Sequence, residues 1–247
     1  MLKNILLVLY GLITYLLGFG ILVYMVFWVY PWAFMPNTID TGMIHNSTLL
    51  SIVVDVLLIS LFGLQHSLMV RPSFKKWFNT VIPAVAQRST YTLFSAFFLA
   101  LIIHFWMPIE GYLWYFESGL VFWTMSALYI IAWTVATLAT FQIDHFELFG
   151  LHQIWRYLKK LPEPVAEFEE NGFYKYIRHP IQAGTMLGLW ATPQMSTGHL
   201  LFAVSFSIYI FTGLYFEERD LVKTLGEAYA DYKKRVPMLF PKLYWRQ

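Results

Sequence analysis

The 247-residue sequence contains no cysteine and few charged residues. Without cysteine there is no disulfide, no thiolate metal ligand and no cysteine nucleophile. Charged residues make up 13% of the chain, about half the share found in soluble domains, whereas hydrophobic residues make up 58%. So few charged side chains cannot cover a water-soluble protein, and the same composition excludes intrinsic disorder. The net charge of +2 is too small to indicate a nucleic-acid partner.

Long apolar segments explain this composition. Four of them cover approximately 5–30, 47–70, 90–109 and 119–142, and each is long enough to cross the roughly 30 Å hydrocarbon core of a bilayer as an α-helix. An apolar helical hairpin is expected at 180–216, followed by an amphipathic helix. The sequence contains no Gly-x-Gly-x-x-Gly motif after a strand and no strand-rich segment, which excludes a Rossmann domain. We therefore predict an all-α polytopic membrane bundle of five to six transmembrane helices.

The basic residues are confined to alternate connections between these segments. The connections 31–46 and 110–118 and the turn of the hairpin contain no lysine or arginine. Nearly all lysines and arginines lie in the connections 71–89 and 143–179 and in the tail. The tail residues are Arg219, Lys223, Lys233, Lys234, Arg235, Lys242 and Arg246. By the positive-inside rule, these basic segments and both termini are predicted to be cytoplasmic if the chain crosses six times.

Two regions with different tasks are expected. Residues 1–142 form four transmembrane helices that act as the scaffold and the substrate side. Residues 143–247 form a cofactor-binding region that contains the hairpin 180–216 and a cytoplasmic tail helix.

Polar residues inside apolar segments are candidates for function, because such groups are costly at membrane depth. Asp55 serves either a helix-to-helix hydrogen bond or a functional role. His66, near the cytoplasmic end of its segment, either meets headgroups or water or has a functional role. The seven histidines include no pair at three- or four-residue spacing, and no two are suited to bind a haem. No metal is expected.

The densest group of polar and aromatic residues lies at 172–184, with the sequence Gly-Phe-Tyr-Lys-Tyr-Ile-Arg-His-Pro-Ile-Gln-Ala-Gly. Because the following segment is a hairpin, Glu217 and Glu218 return to the membrane face that holds Arg178 and His179. Pro180 suits the first turn of a helix. The group is either a salt bridge at headgroup level or, given the spacing and the aromatic flanks, a ligand site.

These residues resemble the C-terminal half of the isoprenylcysteine carboxyl methyltransferase superfamily, whose members use S-adenosylmethionine without a Rossmann domain. The matching motifs are Arg178-His179-Pro180-x-x-x-Gly184, Glu217-Glu218, Gly226-Glu-x-Tyr229-x-x-Tyr232 and Val236-Pro237-Met-Leu-Phe-Pro241. The chain is more similar still to the bacterial methanethiol S-methyltransferases and related denitrification-linked membrane proteins. That similarity adds Gln65-His66-Ser67, Arg71-Pro72, Arg88-Ser89-Thr90-Tyr91 and the segment 144–150. One position departs from the superfamily, since Gln182 stands where a tyrosine is usual.

The resemblance implies that S-adenosyl-L-methionine methylates a small thiol, converting methanethiol to dimethyl sulfide at the cytoplasmic face of a bacterial inner membrane. Arg178 suits the cofactor carboxylate, and Glu217 or Glu218 suits its ammonium or ribose. The implied cofactor-binding residues are Tyr174, Tyr176, Arg178, His179, Gln182, Gly184, Glu217 and Glu218. The thiol must lose its proton, and the candidates that promote this step are His66, Arg71, Arg88 and His145.

Two other functions fit the same sequence. An NADPH-dependent membrane reductase of the sterol-reductase type shares the Arg-His-Pro and Glu-Glu pattern, although basic residues suited to the extra phosphate are limited to Arg88 or Lys159 and Lys160. A non-catalytic channel or assembly protein explains the apolar segments but gives Arg178 and Glu217 no task. The partners expected for the methyltransferase are a small thiol and the lipid bilayer.

Overall fold

The computed structural model describes residues 1–42, 47–164, 168 and 170–241, so Lys242 and Arg246 lie outside the described residues. The described α-helices are α1 (Leu2–Val29), α2 (Thr48–Met69), α3 (Pro72–Phe78), α4 (Ala84–Phe105), α5 (Gly119–Gln142), α6 (His145–Phe149), α7 (Leu151–Lys159), α8 (Pro180–Trp190), α9 (Thr197–Leu225) and α10 (Glu227–Arg235). A 3₁₀ turn covers Gly172–Lys175, and the strands β1 (Tyr112–Tyr115) and β2 (Gln194–Ser196) pair with each other.

Five of the described helices are long and apolar enough to cross a membrane, namely α1, α2, α4, α5 and α9. In the most apolar stretch of each helix, only 17–33% of the residues are buried inside the protein. Their exposed leucine and phenylalanine side chains are therefore available to contact lipid. A helix satisfies its own backbone hydrogen bonds and is therefore stable in hydrocarbon. The protein is an all-α polytopic integral membrane protein, as predicted.

The ends of two helices differ from the prediction. Helix α4 begins at Ala84 instead of 90, since polar residues in its first turns bond to their own helix, as Thr90 Oγ1 does to Ala86 O at 2.8 Å. Helix α9 continues past the charged residues that follow the apolar run and ends at Leu225. Gly226 breaks the helix there because its φ of +63° is a conformation that glycine adopts without strain. The prediction of a single tail helix after the hairpin was therefore wrong, because this part of the chain is divided between the end of α9 and α10.

The short elements α3, β1 and β2 were not predicted from the sequence. The two strands are antiparallel, with Trp114 opposite Met195. Strands of four and three residues are too short for a period-two pattern to be recognised in the sequence. The short helices α6 and α7 lie in the connection 143–179.

The chain forms two compact units that are each discontinuous in sequence. The first unit contains 1–115, 145–163 and 194–205, and the second contains 116–144, 164–193 and 206–247. In the first unit α4 packs against α1, α2 and α7, and in the second α8 packs along α5. The predicted division at residue 142 is sequential instead, and the tasks assigned to its two regions stay predictions.

Three connections without basic residues meet inside the first unit. The backbone N–H of Ile39 donates to Trp28 O at 2.8 Å, and Asp40 accepts a hydrogen bond from Ser196. The N–H of Thr197 donates to Gly111 O at 2.9 Å. Helix α8 has 11 residues and is about 17 Å long, which is shorter than the roughly 30 Å hydrocarbon core of a bilayer.

Candidate functional site

A buried ion pair between Arg178 and Glu218 connects the start of α8 to α9. The Nε and Nη2 atoms of Arg178 lie 2.6 and 2.5 Å from the same carboxylate oxygen, Oε1 of Glu218. Only 7% of Arg178 and 3% of Glu218 is exposed. The hairpin between them therefore brings these two residues together, as the sequence predicted.

The segment that contains α10 and the residues after it completes this arrangement. Lys233 Nζ donates to the other carboxylate oxygen, Oε2 of Glu218, at 2.7 Å. The Nη1 atom of Arg178 donates to the backbone oxygens of Lys233 and Val236 at 3.1 and 2.5 Å. All three guanidinium nitrogens thus have partners within the protein, and both oxygens of Glu218 accept from cations.

The backbone before α8 pairs with the same segment. The N–H groups of Arg178 and His179 donate to the carbonyl oxygens of Pro237 and Met238 at 2.9 and 3.1 Å. Leu239, two residues after Pro237, is buried against Met186 and Leu214. The motif Val236–Pro241, which the sequence analysis used only as a family signature, therefore holds the Arg178-His179 segment in place.

His179 and Glu217 form the open side of this group. The imidazole Nε2 lies 3.3 Å from Glu218 Oε1, and Nδ1 lies 4.0 Å from Glu217 Oε1. The side chain of Glu217 is 47% exposed, against 4% for Glu218. Burial lowers the pKa of His179; the Glu218 carboxylate opposes this effect, while the positive charges of Arg178 and Lys233 add to it. The imidazole is therefore neutral at pH 7.

The tyrosines beside this group have different exposures. Burial raises the pKa of Tyr174, and the negative charge of the nearby Glu217 raises it further, so Tyr174 keeps its proton. The hydroxyl of Tyr232 donates to the backbone oxygen of Tyr174 at 2.6 Å, and burial raises the pKa of Tyr232 to about 12. Tyr176 is 68% exposed. Tyr174 thus offers a hydroxyl next to Glu217, and Tyr176 offers an open aromatic face.

Gln182 and Gly184 occupy the first turns of α8. A Cβ atom on Gly184 would lie 2.5 Å from the backbone oxygen of Ala132 and 2.9 Å from the Cβ of Ala136. Glycine at this position therefore allows α8 to pack closely against α5, and its implied contact with a cofactor stays a prediction. Gln182 is half-buried, and its side chain makes no hydrogen bond to any residue in the described part of the chain.

The candidates for thiol activation lie in the first unit, where two of them are joined through Tyr91. The Nε2 atom of His66 is 2.5 Å from the Tyr91 hydroxyl, and its Nδ1 is 3.0 Å from Ser95 Oγ. The guanidinium of Arg88 lies 4.9 Å from the centre of the Tyr91 ring, a cation–π contact. Tyr91 belongs to the motif Arg88-Ser89-Thr90-Tyr91, but a role for it was not predicted from the sequence.

The other two candidates have different surroundings. His145 is 2% exposed, its Nε2 lies 3.2 Å from the Tyr15 hydroxyl, and its ring packs against Phe19 and Phe149. Arg71 directly precedes α3. Arg88 also reaches the α6 segment, because its Nε donates to Leu148 O at 2.6 Å.

Asp55 has a structural contact. It is fully buried, and its Oδ1 accepts a hydrogen bond from the backbone N–H of Met107 at 3.0 Å. Met107 lies two residues beyond the end of α4, so Asp55 joins α2 to the connection after α4, and a functional role for it stays a prediction.

Comparison with known proteins identifies the family. Residues 55–238 match the family described as "NnrU protein", and this segment includes every predicted site residue. This chain belongs to the NnrU family. No solved structure gives a significant match to it.

Three curated relatives show how far the similarity of this NnrU-family chain extends. Methanethiol S-methyltransferase 2 of Bradyrhizobium diazoefficiens is 42% identical over 213 residues, which cover 86% of this chain and 82% of the relative. Methanethiol S-methyltransferase of Pseudomonas deceptionensis is 43% identical, covering 85% and 79%. The enzyme of that name from Mycobacterium tuberculosis is 36% identical and covers 97% of both chains. The resemblance inferred from the motifs is confirmed.

Proposed function

We propose that this protein is a membrane methyltransferase that converts methanethiol to dimethyl sulfide, with S-adenosyl-L-methionine as the methyl donor. The observation that carries the proposal is the identity of 36–43% to proteins named methanethiol S-methyltransferase over most of the chain. The exposed carboxylate of Glu217 supports the proposal as well, because it is suited to bind the cofactor. It lies beside the buried Arg178–Glu218 ion pair.

The residues of the second unit fit one end of the methyl donor. S-adenosyl-L-methionine supplies an activated methyl group on a sulfonium, and it also carries an ammonium, a carboxylate and an adenosine. Glu217 is an exposed anion suited to the ammonium. Tyr174, neutral His179 and the amide of Gln182 offer hydrogen bonds, and Tyr176 offers an aromatic face for the adenine or the sulfonium.

We assign Arg178 to the support of the site and not to the cofactor carboxylate, the contact that the resemblance implied. All three guanidinium nitrogens bind Glu218 or backbone oxygens, so the guanidinium has no free face for a cofactor carboxylate. We assign Arg178 and Glu218 to holding His179 and Glu217 in position. Gly184 is assigned to the packing of α8 on α5.

His66 is the proposed base for the thiol. A small thiol has a pKa above neutrality, about 8.5 for a cysteine side chain, so a group that accepts the proton accelerates attack. Both ring nitrogens of His66 are hydrogen-bonded, so the thiol proton reaches the imidazole through the Tyr91 hydroxyl, which passes its own proton to Nε2 and takes the proton of the thiol. The adjacent positive charge of Arg88 favours the thiolate. Arg71 and His145 are left without a direct role.

The proposed location is the cytoplasmic face of a bacterial inner membrane, with both termini in the cytoplasm. The positive-inside rule supports it, since the basic residues lie in connections 71–89 and 143–179 and in the tail. The meeting of three connections without basic residues at one end of the first unit also supports it.

A headspace assay tests the proposed function. Purified protein in detergent is incubated with S-adenosyl-L-methionine and methanethiol, and dimethyl sulfide is measured by gas chromatography beside a Glu217→Ala variant. We expect dimethyl sulfide from the wild type and at least about tenfold less from the variant. No product from folded protein that also fails to bind S-adenosylhomocysteine would contradict the proposal. Oxidation of NADPH in a parallel reaction would support the reductase alternative.

A further inference from the structure

Three consecutive basic residues of α10 have three different partners. Lys234 pairs with Asp231 at 2.8 Å, and both side chains are exposed, whereas the exposed Arg235 pairs with the half-buried Glu170. Lys233 instead reaches the buried carboxylate of Glu218 at 2.7 Å, although its own side chain is 44% exposed. Lys233 therefore joins the solvent-facing tail to the buried ion pair.

The two oxygens of Glu218 have separate tasks. Oε1 accepts from Arg178 and faces His179 Nε2 at 3.3 Å, whereas Oε2 faces Lys233 Nζ. The terminal torsion of a glutamate is soft, so a carboxylate anchored on one oxygen rotates easily. The Lys233 ammonium prevents this rotation and so fixes the oxygen that faces His179.

We propose that Lys233 is a positioning residue for the cofactor site, which holds Glu218, and through it His179, in the orientation that Glu217 needs to bind the amino-acid end of the cofactor. The inference rests on the proposed function. It adds a residue outside the Arg-His-Pro and Glu-Glu motifs and gives the cytoplasmic tail a part in cofactor binding.

The contacts of α10 allow this role to be separated from folding. Tyr229, Tyr232 and Val236 are buried together and pack against Phe168 and Leu221, independently of the Lys233 side chain. The bond from Arg178 Nη1 to the Lys233 backbone oxygen does not depend on that side chain either. A Lys233→Met variant is therefore expected to keep α10 in place and to lose only the ammonium.

The test compares Lys233→Met, Lys233→Arg and Lys234→Met in detergent. Binding of S-adenosylhomocysteine is measured by calorimetry, and KM for S-adenosyl-L-methionine and kcat are measured by dimethyl sulfide release. We expect Lys233→Met to raise Kd and KM about tenfold, with kcat within about twofold of the wild type. Lys233→Arg should restore Kd to within about threefold, and Lys234→Met should bind like the wild type.

Several results would overturn the inference. Equal Kd values for Lys233→Met and Lys234→Met would overturn the role of Lys233 alone, provided that the wild type binds. A fall in kcat without a change in KM, or no recovery in Lys233→Arg, would do the same. Absence of binding by the folded wild type would overturn the proposed function as well. If Lys233→Met does not fold, Lys233→Gln is compared with Lys234→Gln by the same criteria.

Discussion

Glu217 and Glu218 are neighbours in α9 whose carboxylates lie in opposite surroundings. Glu218 is 3% exposed and accepts from Arg178 and Lys233, whereas the side chain of Glu217 is 47% exposed and lies 4.0 Å from His179. Consecutive residues of an α-helix point about 100° apart, so one carboxylate faces the interior of the unit and the other does not. The pair thus divides into a buried, structural carboxylate and an open one, for which we propose cofactor binding.

This division predicts opposite effects for two matched variants. Glu218→Gln leaves the buried Arg178 guanidinium without its counter-charge, and breaking a buried pair costs about 3–5 kcal/mol, so the unfolding midpoint in detergent should fall by roughly 6–20 °C. Glu217→Gln should keep the midpoint within about 2 °C but weaken S-adenosylhomocysteine binding about tenfold or more. Equal loss of stability in both variants would contradict the division.

The pH dependence of stability should report on His179. Burial lowers its pKa below the usual 6.5, so the unfolded chain binds the proton more readily than the folded protein. The contribution of His179 to the free energy of unfolding is therefore fully present above pH 6.5. It is lost as the pH falls from 6.5 through the pKa of His179 in the folded protein. Thermal unfolding of wild type and His179→Asn from about pH 5 to pH 8 checks this. The difference between the two midpoints should shrink on acidification, and a constant difference would rule out this titration.

The packing of α8 on α5 predicts opposite signs for two glycine variants. A Cβ on Gly184 would meet Ala132 O at 2.5 Å, and overpacking of this kind costs about 1–3 kcal/mol. A Cβ on Gly213 in α9 would meet no atom within 4 Å, and replacing a helical glycine by alanine where there is such space stabilises by roughly 0.5–1 kcal/mol. Unfolding midpoints should therefore fall for Gly184→Ala and stay or rise for Gly213→Ala. A Gly184→Ala protein as stable as wild type would argue against the close helix contact.

The Tyr91–His66 hydrogen bond predicts an effect on rate without an effect on cofactor affinity. Tyr91→Phe removes the hydroxyl that lies 2.5 Å from His66 Nε2 and leaves the ring under Arg88. We expect kcat for dimethyl sulfide formation to fall about tenfold or more, with an unchanged Kd for S-adenosylhomocysteine. Tyr10→Phe is the matched control, because it removes a hydroxyl that bonds Thr90 in the same unit. A similar kcat in the two variants would exclude His66 as the proposed base.

Part of the candidate site was predictable from the sequence. The hairpin between Arg178 and Glu218 required that their ends return to one face, and the ion pair follows from that. The separate tasks of Glu217 and Glu218 were not predictable, because both are glutamates and the residue that faces inward depends on how α9 is rotated in the fold. Lys233 was missed for a similar reason, since its sequence neighbours Lys234 and Arg235 carry the same charge.

The bounds of a transmembrane helix were predictable where they coincide with the two ends of an apolar run. The bounds of α5 agree with the predicted 119–142, because apolar residues fill the segment between polar ends. The charged residues 217–220 were taken as the end of a helix, but they mark only the end of the apolar run. The backbone of α9 continues to Gly226, where a positive φ stops it.

The sequence by itself determined that this is a polytopic membrane protein, since a long apolar run crosses hydrocarbon as a helix that satisfies its own backbone hydrogen bonds. Its motifs identified the family. It also determined which residue types are available for cofactor and thiol. Tertiary structure decided their division of labour. Arg178 and Glu218 are buried and paired, whereas Glu217 is open. A buried charge is stable only with partners, and those partners come from residues 233–238, which lie close to Arg178 only in the folded chain.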